Sequence, residues 1–285
     1  MVDLDTLFSS MVETANRNNV VNEDDYIDED GLLCCGKCHT RKQTRINLFG
    51  KDRTPMVPCQ CRAEEIRAEE EEEKRRLKQN EVSKLRGACF HDMAMMEWTF
   101  ENDDGTNQRI INIAKRYVDK FQEMKADHKG LLLFGNVGVG KTYASACIAN
   151  ALIEKGYPCM VTNFPRLINT LDSMRERKQE YLDDLNDYDL LVIDDLASER
   201  NTEYMQEFVM QIIDSRQRSG LPIIVTTNLT AQELKNPLDM KKQRIYSRLM
   251  GMCIPIEVKG SDRRKSALKT DYSKYSEMLG LEEDT

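Results

Sequence analysis

No apolar run in this chain approaches the roughly 20 residues that a helix needs to cross a bilayer, and the N-terminus lacks the regions of a secretory signal. These absences argue against a membrane-spanning or exported protein and give the expectation of a soluble, cytoplasmic one. Excess charge is also missing from most of the chain. The formal net charge is −8, but residues 1–33 hold nine acids (Asp3, Asp5, Glu13, Glu23, Asp24, Asp25, Asp28, Glu29, Asp30) against Arg17, and the remainder balances. The acidic total therefore says little about contact between the body of the protein and nucleic acid. Glycine and proline are absent from residues 62–86, where acids at 69–73 precede Lys74, Arg75 and Arg76. That stretch predicts a solvated helix with i,i+4 pairs such as Glu70–Lys74 and Glu71–Arg75. Its apolar positions (Ile66, Leu77, Leu85) are too sparse for a heptad seam, so it reads as a spacer.

What is present is more specific. The 285 residues, 40% of them hydrophobic, suffice for one large domain and a small appendage. Nine cysteines in a reducing compartment suggest metal rather than disulfides where they cluster. Cys34-Cys35-Gly36-Lys37-Cys38-His39 and Pro58-Cys59-Gln60-Cys61 supply a C-x-x-C and a C-x-C pair, the spacing of a four-cysteine zinc site. The expected ligands are Cys35, Cys38, Cys59 and Cys61, with Cys34 or His39 able to replace one. So small a segment would need the metal to fold. Between Cys34 and Arg62 stand seven bases (Lys37, Arg41, Lys42, Arg45, Lys51, Arg53, Arg62) against Asp52. Even with the formal −2 of a tetrathiolate zinc the module stays positive, and DNA or an acidic protein face are both open as contacts. Upstream, Leu4, Phe8, Met11 and Val12 have helical spacing within residues 1–20, and the acidic run 23–30 reads as mobile or as a dock for a basic partner.

The most informative stretch is Leu131-Leu132-Leu133-Phe134 followed by Gly135-Asn136-Val137-Gly138-Val139-Gly140-Lys141-Thr142. A buried strand, then G-x-x-x-x-G-K-T, then a helix is a P-loop in its confirming context. The glycines let backbone N–H groups turn toward phosphate oxygens, and the helix N-terminus favours negative charge. Lys141 is expected to reach the β- and γ-phosphates of ATP, and Thr142 to bind Mg2+. Asp189-Leu190-Leu191-Val192-Ile193-Asp194-Asp195 reads as a Walker B strand, with Asp194 holding Mg2+ and Asp195 orienting and deprotonating the attacking water. Leu221 to Asn228 forms another buried strand ending in a polar residue. Asn228 there is either a turn residue or a partner for the γ-phosphate or lytic water.

Between these motifs, Trp98 and Phe100 are expected on the core, followed by a helix with Ile110, Ile113, Ala114, Tyr117 and Phe121 on one face. Strands near 158–163, 189–193, 222–227 and 252–258 alternate with helices near 164–177, 203–218 and 240–250. That alternation means a parallel sheet covered on both faces.

Taken in order, these elements over residues 95–270 resemble the AAA+ ATPases, and within them the DnaC/DnaI-type replicative helicase loaders and their IstB-like transposition relatives. The resemblance rests on Gly135–Thr142, Asp194-Asp195, Val225-Thr226-Thr227-Asn228 and Arg244-Ile245-Tyr246-Ser247-Arg248-Leu249. It implies an α/β AAA+ P-loop core lacking a full helical lid. It makes Asn228 the sensor 1 residue, Arg248 the arginine finger for a neighbouring subunit's γ-phosphate, and Arg263 sensor 2, with Arg244 and Arg264 as near alternatives. Asp195 departs from the Glu of many relatives, which suits a switch more than a motor. Only 22 residues follow Arg263, so the lid is absent or a stub, as in the loader group.

The organisation expected is an acidic segment 1–33, a zinc module 34–62, a charged linker helix 63–94 and an AAA+ domain 95–285. The leading functional expectation is an ATP-dependent loader that self-associates on ATP and places a hexameric replicative DNA helicase on single-stranded DNA. The alternatives are an IstB-like transposition helper on duplex DNA and a zinc-dependent DNA-binding regulator with a nucleotide-gated oligomeric state. Candidate single-strand contacts are Phe164, Arg166, Arg175, Arg177 and Lys178, since such sites combine stacking aromatics with a basic track.

Overall fold

The computed structural model describes residues 21–48, 50–90, 92–174, 177–197, 203–237 and 239–263, together with 272, 275, 276, 278 and 279. The helix expected within residues 1–20, Arg175 and Arg264 lie outside the described residues. The chain divides into two compact units, one up to Gln79 and one from Asn80 onward.

The first unit is built from two short hairpins, β1 (Tyr26–Ile27) with β2 (Leu33–Cys34) and β3 (Ile46–Leu48) with β4 (Lys51–Arg53). The acidic run 23–30, expected to be mobile or to dock a basic partner, is part of this unit and binds bases of its own chain. Asp25 and Lys42 form a buried ion pair at 2.5 Å, Asp28 and Asp30 both bind Arg41, and Arg45 donates to the Asp30 carbonyl at 2.8 Å. The run orders because these bases, which the sequence reading left free, take its acids as partners. Residues 21–62 hold seven acids and seven bases, so the acidic run offsets the positive charge counted for residues 34–62.

Helix α1 (Gln60–Cys89) follows and runs through Gly87. Where Glu70–Lys74 and Glu71–Arg75 were expected at i,i+4, Glu72–Arg75 and Glu73–Arg76 pair at i,i+3. Both spacings face one another on a helix surface, and such exposed pairs differ by little.

The second unit is a five-stranded parallel sheet in the order β6-β7-β8-β5-β9: β5 (Gly130–Phe134), β6 (Cys159–Asn163), β7 (Leu190–Leu196), β8 (Ile223–Thr227) and β9 (Cys253–Glu257). Leu131 and Leu133 enter one core cluster and Leu132 and Phe134 the other. This is the side-chain alternation of a sheet buried on both faces. The end of α1, α2 (Gln108–Asp119), α3 (Phe121–Ala126) and α4 (Lys141–Glu154) supply the first cluster, with Trp98 and Phe100 packed against it. The second cluster draws on α5 (Phe164–Ser173), α6 (Lys178–Asp184), α7 (Glu203–Ser219), α8 (Ala231–Lys235) and α9 (Met240–Met252). The helix expected over 164–177 is α5, which ends at Ser173, and a separate helix, α6, begins at Lys178. Among the described residues no helix is long and apolar enough to cross a membrane.

The strand order matters for function. β8 lies between β5, which leads into the P-loop, and β7, which carries the two aspartates. Whatever ends β8 therefore emerges between the two motifs.

Candidate functional site

The P-loop backbone turns as its glycines allow. Gly135, Gly138 and Gly140 have φ of +137°, +78° and +98°, a region in which side-chain-bearing residues are strained. At Gly138 a Cβ would also collide with the Asp262 carboxylate. Gly140 is the N-cap of α4, which starts at Lys141 and directs its free N–H groups into a cleft of about 470 Å³. Val137, Gly138, Gly140, Lys141, Thr142, Asp194, Asp195, Asn228 and Arg263 line this cleft. Val139 is buried beneath the loop, and Asn107 holds its carbonyl at 3.1 Å. The buried Lys141 donates to the carbonyls of Gly135 (2.9 Å) and Asn136 (2.6 Å) and to the Asn228 side-chain oxygen (2.8 Å).

Opposite the P-loop, β7 slips register against β8 between Ile193 and Leu196. Asp195 and Ala197 are left-handed there, at φ +58° and +72°. A bulge of this kind re-aims side chains. Asp194 accepts from the Thr142 hydroxyl at 2.9 Å and from the Thr226 hydroxyl at 2.5 Å. Burial pushes the Asp194 carboxyl above its usual range, against the lowering effect of these two hydroxyls. A hydroxyl and a carboxylate side by side at a helix N-terminus are hard-oxygen ligands that fit Mg2+. Asp195 stands beside Asn228, whose amide reaches it at 3.4 Å.

Thr226 is the member of this constellation that sequence reasoning missed. Its only local signal is that, with Thr227, it makes a polar pair at the end of an otherwise apolar strand. The cleft wall also includes Asp92, Met95, Trp98 and Tyr143, of which only Trp98 had been singled out, and that for the core.

Arg248 is not among the residues lining this cleft. It sits on α9, paired with Asp214 of α7 and donating to Gln217 at 3.2 Å. Arg244 lies beside it on a separate groove with Met240, Gln243 and Ser247. Of the candidate single-strand contacts, Phe164 is fully buried and offers no stacking face. The Asn163 side chain caps α5 through the Arg166 N–H, which fixes the helix start and turns Phe164 inward. Arg166 and Arg177 are exposed, and the Lys178 ammonium lies over the Phe208 ring at 4.7 Å.

In the first unit, the sulfurs of Cys35, Cys38, Cys59 and Cys61 all lie within 4.8 Å of one another. Cys59–Cys61 is 3.3 Å and Cys35–Cys61 is 3.7 Å, against the roughly 3.8 Å edge of a tetrahedron with Zn–S of about 2.3 Å. Cys34 points instead to Asp28 at 3.7 Å, and the His39 ring packs on Tyr26. Hydrogen bonding, from the Thr40 hydroxyl first, pulls the Cys38 thiol down to about 5. The contacts of Cys61 with Cys59 and Cys38 push its thiol up to about 12. Four crowded sulfurs of which one resists ionisation are a donor set that a soft-tolerant cation such as Zn2+ would relieve.

Comparison with known proteins agrees with this geometry. The chain is 27% identical over 206 residues to the replicative helicase loader DnaI of Bacillus subtilis, covering 67% of this chain and 66% of the relative. It is 27% identical over 143 residues to the loader DnaC of Escherichia coli, covering 49% and 56%. It thus spans just under two thirds, or less, of the length of these relatives. A crystal structure of DnaI superimposes with a TM-score of 0.50 at 28% identity, covering 61% of this chain and 95% of that one. The profile of the IstB-like ATP binding proteins matches residues 62–270, nearly three quarters of the sequence, and the chain belongs to that family.

Proposed function

We propose that this protein is an ATP-hydrolysing loader that places a hexameric replicative DNA helicase on single-stranded DNA. ATP binding assembles the complex and hydrolysis releases it. The observation that carries the reading is an incomplete site. Lys141, Thr142, Asp194, Asp195, Asn228 and Arg263 converge on one cleft, while Arg248 stands elsewhere on α9. An arginine so placed does not serve its own cleft; as the finger of a neighbouring subunit it would make turnover depend on self-association.

In that cleft the P-loop N–H groups and Lys141 bind the β- and γ-phosphates, and Thr142 with Asp194 would hold Mg2+, which neutralises charge on the transferring phosphoryl group. Asp195 accepts the proton of the attacking water, and Asn228, in contact with both Lys141 and Asp195, fixes that water in line. Cys35, Cys38, Cys59 and Cys61 would hold Zn2+ and fold the first unit, which carries the helicase contact. The likeness to the DnaI and DnaC loaders supports the choice of partner.

Native mass spectrometry of the full chain with a hexameric replicative helicase, in Mg-ATP and then Mg-ADP, tests the reading. An ATP-favoured complex of defined stoichiometry is expected. No complex in either nucleotide, with ATP-dependent assembly on duplex DNA instead, would replace the loader with a transposition helper.

A further inference from the structure

Arg263 is gripped by a loop that no motif marks. Its Nε donates to Asp104 Oδ2 at 3.2 Å, and its Nη2 reaches Asp104 Oδ1 at 2.6 Å and Asp103 Oδ1 at 3.4 Å. The Tyr143 ring lies 4.5 Å beneath the guanidinium. These contacts occupy one edge of the fork and leave Nη1, which is buried with no hydrogen-bond partner among the described residues. Nη1 lies 3.3 Å from where a Cβ on Gly140 would sit, so the orphan donor faces the phosphate end of the cleft. A buried N–H without an acceptor is costly and calls for one.

The loop itself is stiff. Asp103 accepts from the Gly105 N–H at 3.1 Å and from the Gln108 amide at 3.2 Å, and Asp104 accepts from the Thr106 N–H at 2.9 Å. Asn107 closes it with bonds to the carbonyls of Val139, in the P-loop, and Lys259. Arg263 returns its own backbone N–H to the Gly138 carbonyl at 3.0 Å.

We propose that Asp104 and Asp103 are positioning residues that aim Arg263 Nη1 at the γ-phosphate and so set the preference of the site for ATP over ADP. The proposal rests on the reading of the cleft as an ATP site with Arg263 as its sensor. Two carboxylates offset the charge of one guanidinium, so the arginine adds little general attraction for phosphate. What it adds is a single donor in a fixed place, which only a nucleotide reaching that place can use. Removing a carboxylate therefore makes the cleft more positive but the donor less well placed. Affinity for ADP holds or rises, and the advantage of ATP falls.

Isothermal titration of the full chain with Mg-ADP and with a Mg-bound, non-hydrolysable ATP analogue tests this. Arg263→Ala is expected to lower the analogue-over-ADP preference about tenfold. Asp104→Ala should lower it by a similar factor without weakening ADP binding, and Asp104→Glu should restore most of it. The double variant Asp104→Ala/Arg263→Ala should be no worse than Arg263→Ala alone. Asp103→Asn, which keeps an acceptor for Gly105 and Gln108, gives a second reading should Asp104→Ala fold poorly, with a smaller drop expected. If Arg263→Ala removes the preference while Asp104→Ala and Asp103→Asn leave it intact, the loop does not position the arginine and the proposal is overturned. If Arg263→Ala itself changes nothing while Lys141→Ala abolishes binding, the ATP site stands but Arg263 is not its sensor, and the proposal falls. If Lys141→Ala also binds both nucleotides normally, the reading of the cleft fails first.

Discussion

Lys141 donates to the side-chain oxygen of Asn228 at 2.8 Å, tying the P-loop to the strand that separates it from the two aspartates. The bond follows from the sheet order, because β8 lies between β5 and β7. It also shows where the ammonium rests: it is held by two carbonyls of its own loop and one amide. Phosphate oxygens would exchange for those acceptors with little movement of the lysine.

Lys141→Ala is therefore expected to weaken ATP binding by about 100-fold or more, the scale of a lost charge-assisted contact in a partly desolvated site. Fold should persist, since the side chain bonds two loop carbonyls and the Asn228 side chain and packs no part of either core cluster. Equilibrium binding of a fluorescent ATP analogue, with circular dichroism as the fold control, measures both. Normal binding would remove the P-loop assignment.

Asp194 gives a prediction with a pH signature. Burial raises its carboxyl above the usual value of 3.8. A carboxyl raised in the folded state contributes stability that is present below the unfolded value and is lost as pH rises through the folded value. At neutral pH the ionised Asp194 thus costs the nucleotide-free protein stability. Asp194→Asn should raise the nucleotide-free Tm by about 2 °C or more at pH 7, with the gain shrinking as pH falls toward 4. The same change should weaken Mg-ATP binding, since the carboxylate proposed to hold Mg2+ loses its charge. Thermal melts across pH, with and without Mg-ATP, check the two effects together; a lower Tm at every pH would contradict the account.

Thr226→Val tests the residue that sequence reasoning missed. The swap keeps the shape but takes a hydroxyl from Asp194 and from the Asp195 N–H, which donates to it at 3.0 Å. Leaving such groups unpaired costs about 1–3 kcal/mol. A fall in Tm with weakened Mg2+ dependence of ATP binding is expected.

The parts of this protein that were legible in the sequence are those with a local steric or chemical demand. Gly138 and Gly140 must be glycine because of their backbone angles, and Asp194-Asp195 stand at a strand end where an apolar pattern stops. The paired cysteines are spaced for one turn each. What was not legible depends on distant partners. Nothing near Arg263 in sequence announces Asp103 and Asp104, some 160 residues away, nor does Arg248 announce Asp214. The acidic run read as mobile or as a dock for a separate basic partner because Arg41 and Lys42 were counted toward contacts with DNA or another protein, whereas they pair with it within the chain. Phe164 looked like a stacking aromatic because the sequence does not say which way the first turn of α5 points. Asn163 settles that by capping it.

Disabling the four-cysteine cluster should affect the first unit and spare the second. With Cys35→Ser and Cys61→Ser, or after strong chelation, the first unit loses the closure that four thiolates would give it. The second unit buries its own two-sided core and should still bind ATP. Zinc content by atomic absorption, ATP affinity and helicase binding should then read as loss, retention and loss. Absence of zinc from the unmutated protein would end the argument.

Arg248 offers the sharpest test of a site shared between subunits. Held by Asp214 and Gln217 of its own chain, it does not touch its own cleft, so Arg248→Ala should leave ATP affinity within about twofold, an effect under 0.5 kcal/mol. Assembly-dependent turnover should fall by about 10³-fold, the lower end of what an arginine supplied in trans contributes. The decisive experiment mixes this variant with Lys141→Ala. Each is expected to be inactive alone, one lacking the proposed finger and the other the lysine proposed to bind phosphate. In a mixed assembly the Arg248 of a Lys141→Ala chain faces the intact cleft of an Arg248→Ala chain, and hydrolysis should return to a fraction set by the mixing ratio. Recovery peaking at intermediate ratios would place the arginine in trans. Turnover that stays flat across all ratios, with assembly intact, would mean that another residue completes the site.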